Sequence, residues 1–221
     1  MSQVLFDTIK TESTITESVI VGFSTGKDSI VTMDLCFKYF KHVYPYFLYI
    51  CPNLEFQERT LRWYEDKYNT EIIRLPHPDV AAFFRYGSFC PANPFLPLIG
   101  INDIYHYMRL ETGAYWIAAG ERIADSIWRR AMIKQSGSID QKRGRFYPIA
   151  EWNKKEVLTY IKRKRLLLPL DSRKLGFSFK SFLPQELLMV KHTFPDDYEK
   201  IQRMYPFVGA TVKRLETYGE I

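Results

Sequence analysis

The chain has 221 residues, of which 46% are hydrophobic and 25% are charged, a composition typical of a folded globular protein. No apolar run approaches the roughly 20 residues that a membrane-spanning helix needs, and the polar, acid-containing segment Met1–Glu17 lacks the pattern of a signal peptide. These features exclude collagenous, coiled-coil, disulfide-rich secreted and integral membrane proteins.

Charge is distributed unevenly along the chain. Residues 1–110 carry 10 basic and 12 acidic side chains, whereas residues 111–221 carry 21 and 13. The second half therefore has a net charge of +8, which favours an anionic partner such as a phosphate group or a nucleic acid. A solvated basic surface without a partner explains the same charge equally well.

The first half alternates between short apolar runs and helical stretches. The predicted strands are Val19–Phe23, Tyr46–Ile50, Glu71–Leu75 and Tyr115–Ala119. The predicted helices are Ser29–Lys41, Glu55–Tyr68, Val80–Arg85 and Asn102–Glu111, with a loop over Gly87–Gly100. This alternation predicts an α/β fold with a doubly wound, mainly parallel sheet, in which ligands bind at the carboxyl ends of the strands.

The second half is predicted to be mostly helical. Ala124–Gln135 has a helical pattern, and Ser136–Arg145 is a basic, glycine-containing stretch that predicts a loop. Asn153 and Glu156 have the spacing of a capping box at the start of a helix that ends near Arg165. Further helices are predicted at Gln185–His192, Asp196–Met204 and Val208–Tyr218. We therefore expect an α/β domain over residues 1–150 and a helical C-terminal lobe over residues 151–221.

The cysteines and histidines do not have the spacing of a metal site. Cys36, Cys51 and Cys90 are odd in number and form no CxxC pair, which is typical of reduced thiols in a cytoplasmic protein. Cys51 follows the second predicted strand. It is either a reactive thiol facing the site or, as we prefer, a packed side chain.

The segment Ser24-Thr25-Gly26-Lys27-Asp28-Ser29 lies between the first predicted strand and the first helix. Backbone N–H groups at a helix N-terminus bind anions, and the helix dipole strengthens that binding. Here two serine hydroxyls and the Lys27 ammonium add further phosphate-binding groups. The segment lacks the spacing of a Walker A loop and of the GxGxxG dinucleotide fingerprint.

Three motifs together resemble one family. Ser24–Ser29 resembles the PP-loop, Ser-Gly-Gly-x-Asp-Ser, of the ATP pyrophosphatases and adenine nucleotide alpha hydrolases, with Thr25 in place of the first glycine. Gly120–Arg129 resembles the family element Gly-x-Arg-x-x-Glu/Asp-Ser-x-x-Arg, and Pro148–Val157 resembles Pro-Ile-x-x-Trp-x-x-x-Asp/Glu-Val. The Ser-x-Gly-Lys-Asp-Ser form is most similar to the branch that contains phosphoadenosine phosphosulfate (PAPS) reductases and the small subunit of ATP sulfurylase.

The resemblance implies an adenine nucleotide alpha hydrolase-like fold and an enzyme that uses ATP and Mg²⁺. Such enzymes cleave ATP between its α and β phosphates and adenylate an acceptor, here a nucleobase, sulfate or a small acid. The implied catalytic residues are Lys27 and Arg122, and Asp28 is the implied contact to Mg²⁺. The implied nucleotide-binding residues are Ser24, Thr25, Gly26, Lys27, Asp28, Ser29, Gly120, Arg122 and Arg129.

The chain also departs from this branch. PAPS reductases use a cysteine in a C-terminal Glu-Cys-Gly-x-His motif, but no cysteine follows Cys90. Some relatives hold an iron–sulfur cluster on cysteine pairs near the segment Gly176–Pro184, which has none here, so we expect no cluster. The Asp-Thr-Gly that often ends the second strand in relatives is replaced by Cys51-Pro52-Asn53.

Two alternative functions therefore remain open. The first is a sulfonucleotide-binding enzyme related to PAPS reductase whose thiol comes from a partner. The second is a non-catalytic nucleotide sensor or nucleic-acid-binding accessory protein, whose basic segments Lys142–Arg145 and Lys162–Arg165 contact phosphates. For Lys162–Arg165 we prefer the interpretation as a helix C-terminus whose basic residues complement the helix dipole. A homo-oligomer or a complex with a partner protein is compatible with each of these functions.

Overall fold

The computed structural model describes residues 6–176, 178–179 and 181–219. Its helices in those ranges are α1 Asp7–Ile15, α2 Lys27–Tyr39, α3 Glu55–Tyr68, α4 Pro78–Tyr86, α5 Ile101–Thr112, α6 Ile127–Ser136, α7 Lys154–Lys164, α8 Leu170–Lys174, α9 Pro184–Thr193, α10 Pro195–Met204 and α11 Val208–Tyr218. Its strands in the same ranges are β1 Ser18–Gly22, β2 His42–Tyr49, β3 Ile73–Pro76, β4 Ile117–Ala118, β5 Ile139–Asp140 and β6 Arg145–Phe146. None of the helices in the described ranges is long and apolar enough to span a membrane. Met1–Glu17 and Gly176–Pro184, on which two of the predictions bear, lie partly outside the described residues.

The strands form one mainly parallel sheet with the order β3-β2-β1-β4-β6-β5. Strand β1 pairs in parallel with both β2 and β4, and β4 pairs in parallel with β6. The chain therefore builds the sheet outward from β1 in one direction and then, from β4, in the other. The carboxyl ends of β1 and β4 flank this reversal, which is where open α/β sheets bind their ligands.

Helices cover both faces of the sheet, as the doubly wound prediction requires. Successive residues of a strand point to opposite faces. In β6, the ring of Phe146 lies 5.8 Å from that of Phe40 at the end of α2, whereas the Arg145 guanidinium lies 5.2 Å above the ring of Tyr105 in α5. The two neighbours thus contact helices on opposite sides, and the predicted fold class is confirmed.

Strand β1 and helix α7 form where local sequence patterns predict them. Val19, Ile20 and Val21 of β1 have no exposed surface, as expected of a central parallel strand covered on both faces. The predicted capping box of α7 is confirmed. The Asn153 side chain accepts from the Glu156 backbone N–H at 3.0 Å, and the Glu156 carboxylate accepts from the Asn153 N–H at 2.7 Å.

The loop predicted over Ser136–Arg145 is wrong, because this segment contains the antiparallel hairpin β5–β6. Asp140 stabilises its turn by accepting from the Arg143 backbone N–H at 3.1 Å, and Gly144 supplies the left-handed conformation with φ +61°. The basic residues of the stretch therefore lie around a tight turn at the sheet edge. Helices α1 and α8 were also missing from the sequence prediction.

The chain divides into two compact units that are discontinuous in sequence. The first contains the chain up to Phe47, Tyr64–Ile73 and Tyr105–Leu168. The second contains Leu48–Trp63, Arg74–Ile104 and the chain from Pro169 onward, with α9, α10 and α11 packed on one another. This division does not coincide with the predicted boundary at residue 150, since α7 belongs to the first unit.

Candidate functional site

The loop after β1 leads directly into α2, whose first turn has no side-chain cap. Gly26 is the N-cap residue, with φ −68° and ψ 155°, and no side chain in the described residues accepts a hydrogen bond at this end. Helix α7, by contrast, has its first turn satisfied by Asn153. Uncapped N–H groups and the positive end of the helix dipole favour an anion at the start of α2.

Thr25 has a left-handed backbone conformation, with φ +59°, and its side chain is buried. This is the position where the PP-loop pattern has glycine, so the departure in sequence falls where the backbone favours glycine. Asn53, which replaces the glycine of Asp-Thr-Gly after β2, also has φ +59°. Both loops thus have a residue in the left-handed conformation that is not glycine.

The two loop serines fix the shape of the turn. The Ser29 hydroxyl donates to the Gly26 carbonyl at 2.9 Å, and the Ser24 hydroxyl donates to the Ser29 hydroxyl oxygen at 3.2 Å. These contacts hold the loop closed over the start of α2. They also place both hydroxyls beside the uncapped amides.

Five charged side chains of alternating sign connect the PP-loop motif Ser24–Ser29 with the motif Gly120–Arg129. The Lys27 ammonium lies 2.6 Å from Asp28 Oδ2, and the Arg122 Nε lies 3.0 Å from Asp28 Oδ1. The Arg122 Nη2 then contacts Asp125 Oδ1 at 2.6 Å, and the Arg129 Nη1 contacts Asp125 Oδ2 at 3.3 Å. We call this set, from Lys27 to Arg129, the ion-pair chain.

Arg122 is the central member of this chain, and only 6% of its side chain is exposed. Besides its two carboxylate partners, it donates from Nη1 to the Trp152 carbonyl oxygen at 3.3 Å. Within the described residues, Arg122 Nε and Asp28 Oδ1 form an ion pair but no hydrogen bond, since neither atom has a hydrogen-bond partner. The three motifs of the sequence therefore meet at one buried guanidinium.

Gly120 lets the end of β4 approach the first turn of α2. A Cβ atom built on Gly120 would lie 3.1 Å from both the Asp28 carbonyl carbon and the Ser29 backbone nitrogen. Few real Cβ atoms lie so close to a neighbouring backbone. The glycine thus sets the spacing between the two segments that carry the ion-pair chain.

The chain matches the family model described as "Phosphoadenosine phosphosulfate reductase domain" over residues 18–170, which is more than half of its length. The chain belongs to this family. The matched range contains all nine predicted nucleotide-binding residues. No curated protein sequence matches the chain.

Two solved structures resemble the fold at 14% sequence identity and a TM-score of 0.48. One is the U34-tRNA thiolase NcsA from Methanococcus maripaludis with its 4Fe-4S cluster, for which the match covers 96% of this chain and 79% of that one. The other is the NH3-dependent NAD synthetase from Campylobacter jejuni subsp. jejuni NCTC 11168 in complex with the nitrate ion, with coverage of 99% and 95%.

The structure brings the predicted site residues of this family member together within the first compact unit. It also adds two groups that the sequence analysis did not assign to the site, the Asp125 carboxylate and the Trp152 carbonyl. Asp125 lies three residues after Arg122 and four before Arg129, and this spacing could have identified it. The Trp152 carbonyl could not be identified in this way, because every residue carries a backbone carbonyl and the sequence does not show which one accepts from Arg122.

Cys51 lies in the second compact unit and is packed among apolar side chains. The residue is 3% exposed, and burial raises the pKa of its thiol to about 11. A thiol with a raised pKa is protonated at neutral pH and is a poor nucleophile, which favours the packed side chain over the reactive thiol.

The described residues contain no group of three or more His, Cys, Asp or Glu side chains that could hold a metal ion. Magnesium commonly binds through one or two carboxylates together with substrate phosphates. In the PP-loop, Asp28 supplies one carboxylate, and it already has Lys27 and Arg122 as cationic partners.

Proposed function

We propose that the PP-loop site binds ATP with its magnesium ion and cleaves it between the α and β phosphates, adenylating an acceptor. The observation that supports this most strongly is the uncapped start of α2 beside cationic side chains from two motifs. An anion at that point accepts hydrogen bonds from backbone N–H groups, and the helix dipole and the Lys27 ammonium stabilise its charge. The acceptor is a nucleobase, sulfate or a small acid.

Each residue of the ion-pair chain has a distinct part in this proposal. The Lys27 side chain is 31% exposed, and exchanging its Asp28 contact for a phosphate oxygen keeps its charge paired. Arg122 holds Asp28 and Asp125 in place and brings positive charge close to the loop. The half-exposed Arg129 side chain is the more accessible of the two arginines for a phosphate.

The metal ion in this proposal arrives with the substrate. Magnesium on the phosphate oxygens of ATP neutralises part of their charge, and Asp28 is the loop carboxylate that it would meet. With ATP bound, Lys27 would pair with a phosphate oxygen in place of Asp28.

The chemistry is a nucleophilic displacement at phosphorus. An acceptor atom forms a bond to the α phosphorus, and the bond from that phosphorus to the bridging oxygen breaks. Pyrophosphate leaves with the electron pair, and the acceptor loses a proton when it carries one. Positive charge near the loop stabilises the charge that develops on the leaving pyrophosphate.

The family match favours one second candidate, the binding of a sulfonucleotide such as PAPS. Reduction of its sulfonyl group needs a thiol, but Cys36, Cys51 and Cys90 are buried, and burial raises the pKa of each. This function therefore needs a thiol from a partner protein.

Product analysis of ATP incubated with Mg²⁺ and candidate acceptors tests the proposal. We expect AMP, free or transferred to an acceptor, and pyrophosphate from the wild-type protein. The Lys27→Ala variant described below has Lys41→Ala as its matched control. Lys41→Ala removes an exposed lysine that pairs with Glu17, and we expect it to retain activity. ADP and phosphate as products would contradict the proposal. Tight binding without turnover would favour a nucleotide sensor, and preference for PAPS over ATP would favour the second candidate.

Substitution of Lys27 tests the assignment of the phosphate site. We expect Lys27→Ala to weaken ATP binding by about 10-fold or more, since a charge-assisted hydrogen bond contributes about 1.5–3 kcal/mol. Adenosine, which has no phosphate, should lose little affinity. Calorimetric titration of both ligands measures the difference, and equal losses would show that Lys27 does not face the phosphates.

A further inference from the structure

Helix α6 begins immediately after Asp125 and exposes two large apolar side chains to solvent. Ile127 is 81% exposed and Trp128 is 86% exposed. Large aromatic side chains are usually buried to a much greater extent in folded proteins. Within the described part of the chain, Trp128 makes no ring contact with another aromatic residue.

The same outer side of α6 is basic. The helix has the sequence IWRRAMIKQS, which contains three basic residues and no acidic one. Its inner side carries Ile133, which is buried against Tyr147 and Ala150. Ile127, Arg130 and Lys134 follow the helical spacing i, i+3 and i+7, so they form one stripe, and Trp128 lies beside its start.

We propose that this outer face of α6 binds single-stranded nucleic acid. An unpaired base stacks on the Trp128 indole, and backbone phosphates pair with Arg130 and Lys134. An exposed aromatic ring beside basic side chains is the usual combination in such sites, because stacking accepts any base and the cations follow the backbone. An acidic partner protein would use the same cations, but it would leave the ring without a comparable planar surface to stack against.

Charge complementarity also favours a polyanion over a second copy of this chain. The α6 face carries only positive charge, and the 111–221 half that contains it has a net charge of +8. Two copies that meet through this face would place like charges opposite each other, which costs free energy. A duplex is also disfavoured, because its bases are already stacked and paired.

The face is connected to the proposed ATP site. Arg129 belongs to α6 and contacts Asp125, which holds Arg122. A nucleic-acid strand bound on α6 therefore lies near the Arg129 end of the ion-pair chain, which makes its bases suitable acceptors for adenylation. That last step rests on the proposed function, whereas the binding of nucleic acid does not.

Fluorescence anisotropy of a labelled 12-nucleotide oligo(dT) and of the matching oligo(U), measured without ATP, tests the proposal. We expect Trp128→Ala to weaken binding by about 5-fold to 150-fold, the range for loss of one stacked base, and Trp128→Phe to retain most of the affinity. The double variant Arg130→Ala/Lys134→Ala should reduce the slope of log affinity against log salt by about 1.4, because each lost phosphate contact contributes roughly 0.7 for single strands. The exposed pair Lys154 and Lys155 of α7 gives a control of equal charge, and Lys154→Ala/Lys155→Ala should leave the slope nearly unchanged.

Three results would overturn the proposal. The first is an affinity that Trp128→Ala does not change, and the second is a loss in the α7 control as large as that in the α6 double variant. The third is absence of oligonucleotide binding. Self-association that Trp128→Ala abolishes, measured by light scattering, would then assign the face to a second copy. Oligonucleotide binding without ATP cleavage would contradict only the proposed function, and ATP cleavage without oligonucleotide binding would contradict only this inference.

Discussion

Thr25 carries a branched β-carbon in a backbone conformation that favours glycine, with φ +59°. The left-handed region costs an L-residue roughly 1–2 kcal/mol, and β-branched residues are especially rare there. We expect Thr25→Gly to raise the free energy of unfolding by about 0.5–1 kcal/mol, because relief of strain exceeds the added entropy of the unfolded chain. Urea unfolding measures this change.

Asn53→Gly provides the matched control for Thr25→Gly. Asn53 has the same φ of +59°, but asparagine tolerates the left-handed region better than threonine does. Its replacement should therefore stabilise the protein less. An Asn53→Gly gain equal to or larger than that of Thr25→Gly would mean that strain at Thr25 is not the cause.

Burial of the Glu12 carboxyl group in α1 makes the stability of the folded state depend on pH. Its side chain has no exposed surface, neither carboxyl oxygen has a hydrogen-bond partner among the described residues, and burial raises its pKa to about 7. The folded state thus binds this proton more tightly than the unfolded state does. The stabilisation is fully present below the ordinary pKa of 4.5 and is lost as the pH rises through about 7.

We therefore expect Glu12→Gln to be more stable than the wild type at pH 8, by roughly 1–3 kcal/mol, and similar to it at pH 4.5. Urea unfolding at both pH values checks this. The control is Glu17→Gln, because Glu17 is exposed and its hydrogen bond with Lys41 lowers the pKa of its carboxyl group. A gain at pH 8 for Glu17→Gln, or none for Glu12→Gln, would contradict the assignment to burial.

At the scale of elements, the contact between the end of β4 and the start of α2 depends on Gly120. A methyl group there would lie 3.1 Å from two backbone atoms of α2, which cannot move aside as a flexible side chain can. We expect Gly120→Ala to lower stability by about 1–3 kcal/mol and to weaken ATP binding, because the first turn of α2 must shift. Thermal unfolding and ATP titration measure the two effects.

Gly100→Ala is a suitable comparison for Gly120→Ala. Among the described residues, a Cβ atom on Gly100 would meet only the Asp103 carboxylate, at an ordinary 3.5 Å, so little change is expected. If both alanine variants behaved alike, the close approach of β4 to α2 would not matter for the site.

Elements that follow from local sequence patterns could be predicted, whereas elements that depend on distant pairing could not. Strand β1, helix α2 and the capping box of α7 follow from local patterns of apolar and capping residues, and they are confirmed. The two-residue strands β5 and β6 exist through pairing with each other and with β4, which no local pattern encodes. Two partners of Arg122, Asp28 and the Trp152 carbonyl, are far from it in sequence and approach it only after folding, so no local pattern encodes them either.

At the scale of the whole molecule, the excess of positive charge belongs to one compact unit. The first unit contains 19 basic and 14 acidic residues, a net of +5, whereas the second contains 12 and 11, a net of +1. The first unit also contains the PP-loop, the ion-pair chain and helix α6. Steering of anions by long-range charge is therefore strongest toward the unit that carries the proposed site.

This division predicts where a bound nucleotide protects the backbone. Saturation of the site with ATP and Mg²⁺ at about 100 times the dissociation constant adds about 2.7 kcal/mol to the stability of the folded state. Amides that exchange through local opening should gain protection near Ser24–Ser29 and Gly120–Arg122, while those at the ends of α9 and α11 should not. Hydrogen exchange followed by mass spectrometry measures both regions. A Lys27→Ala variant that binds ATP about 10-fold more weakly should gain only about 1.4 kcal/mol at the same ATP concentration, so its protection should be smaller. Protection confined to the second unit would move the nucleotide site away from the PP-loop.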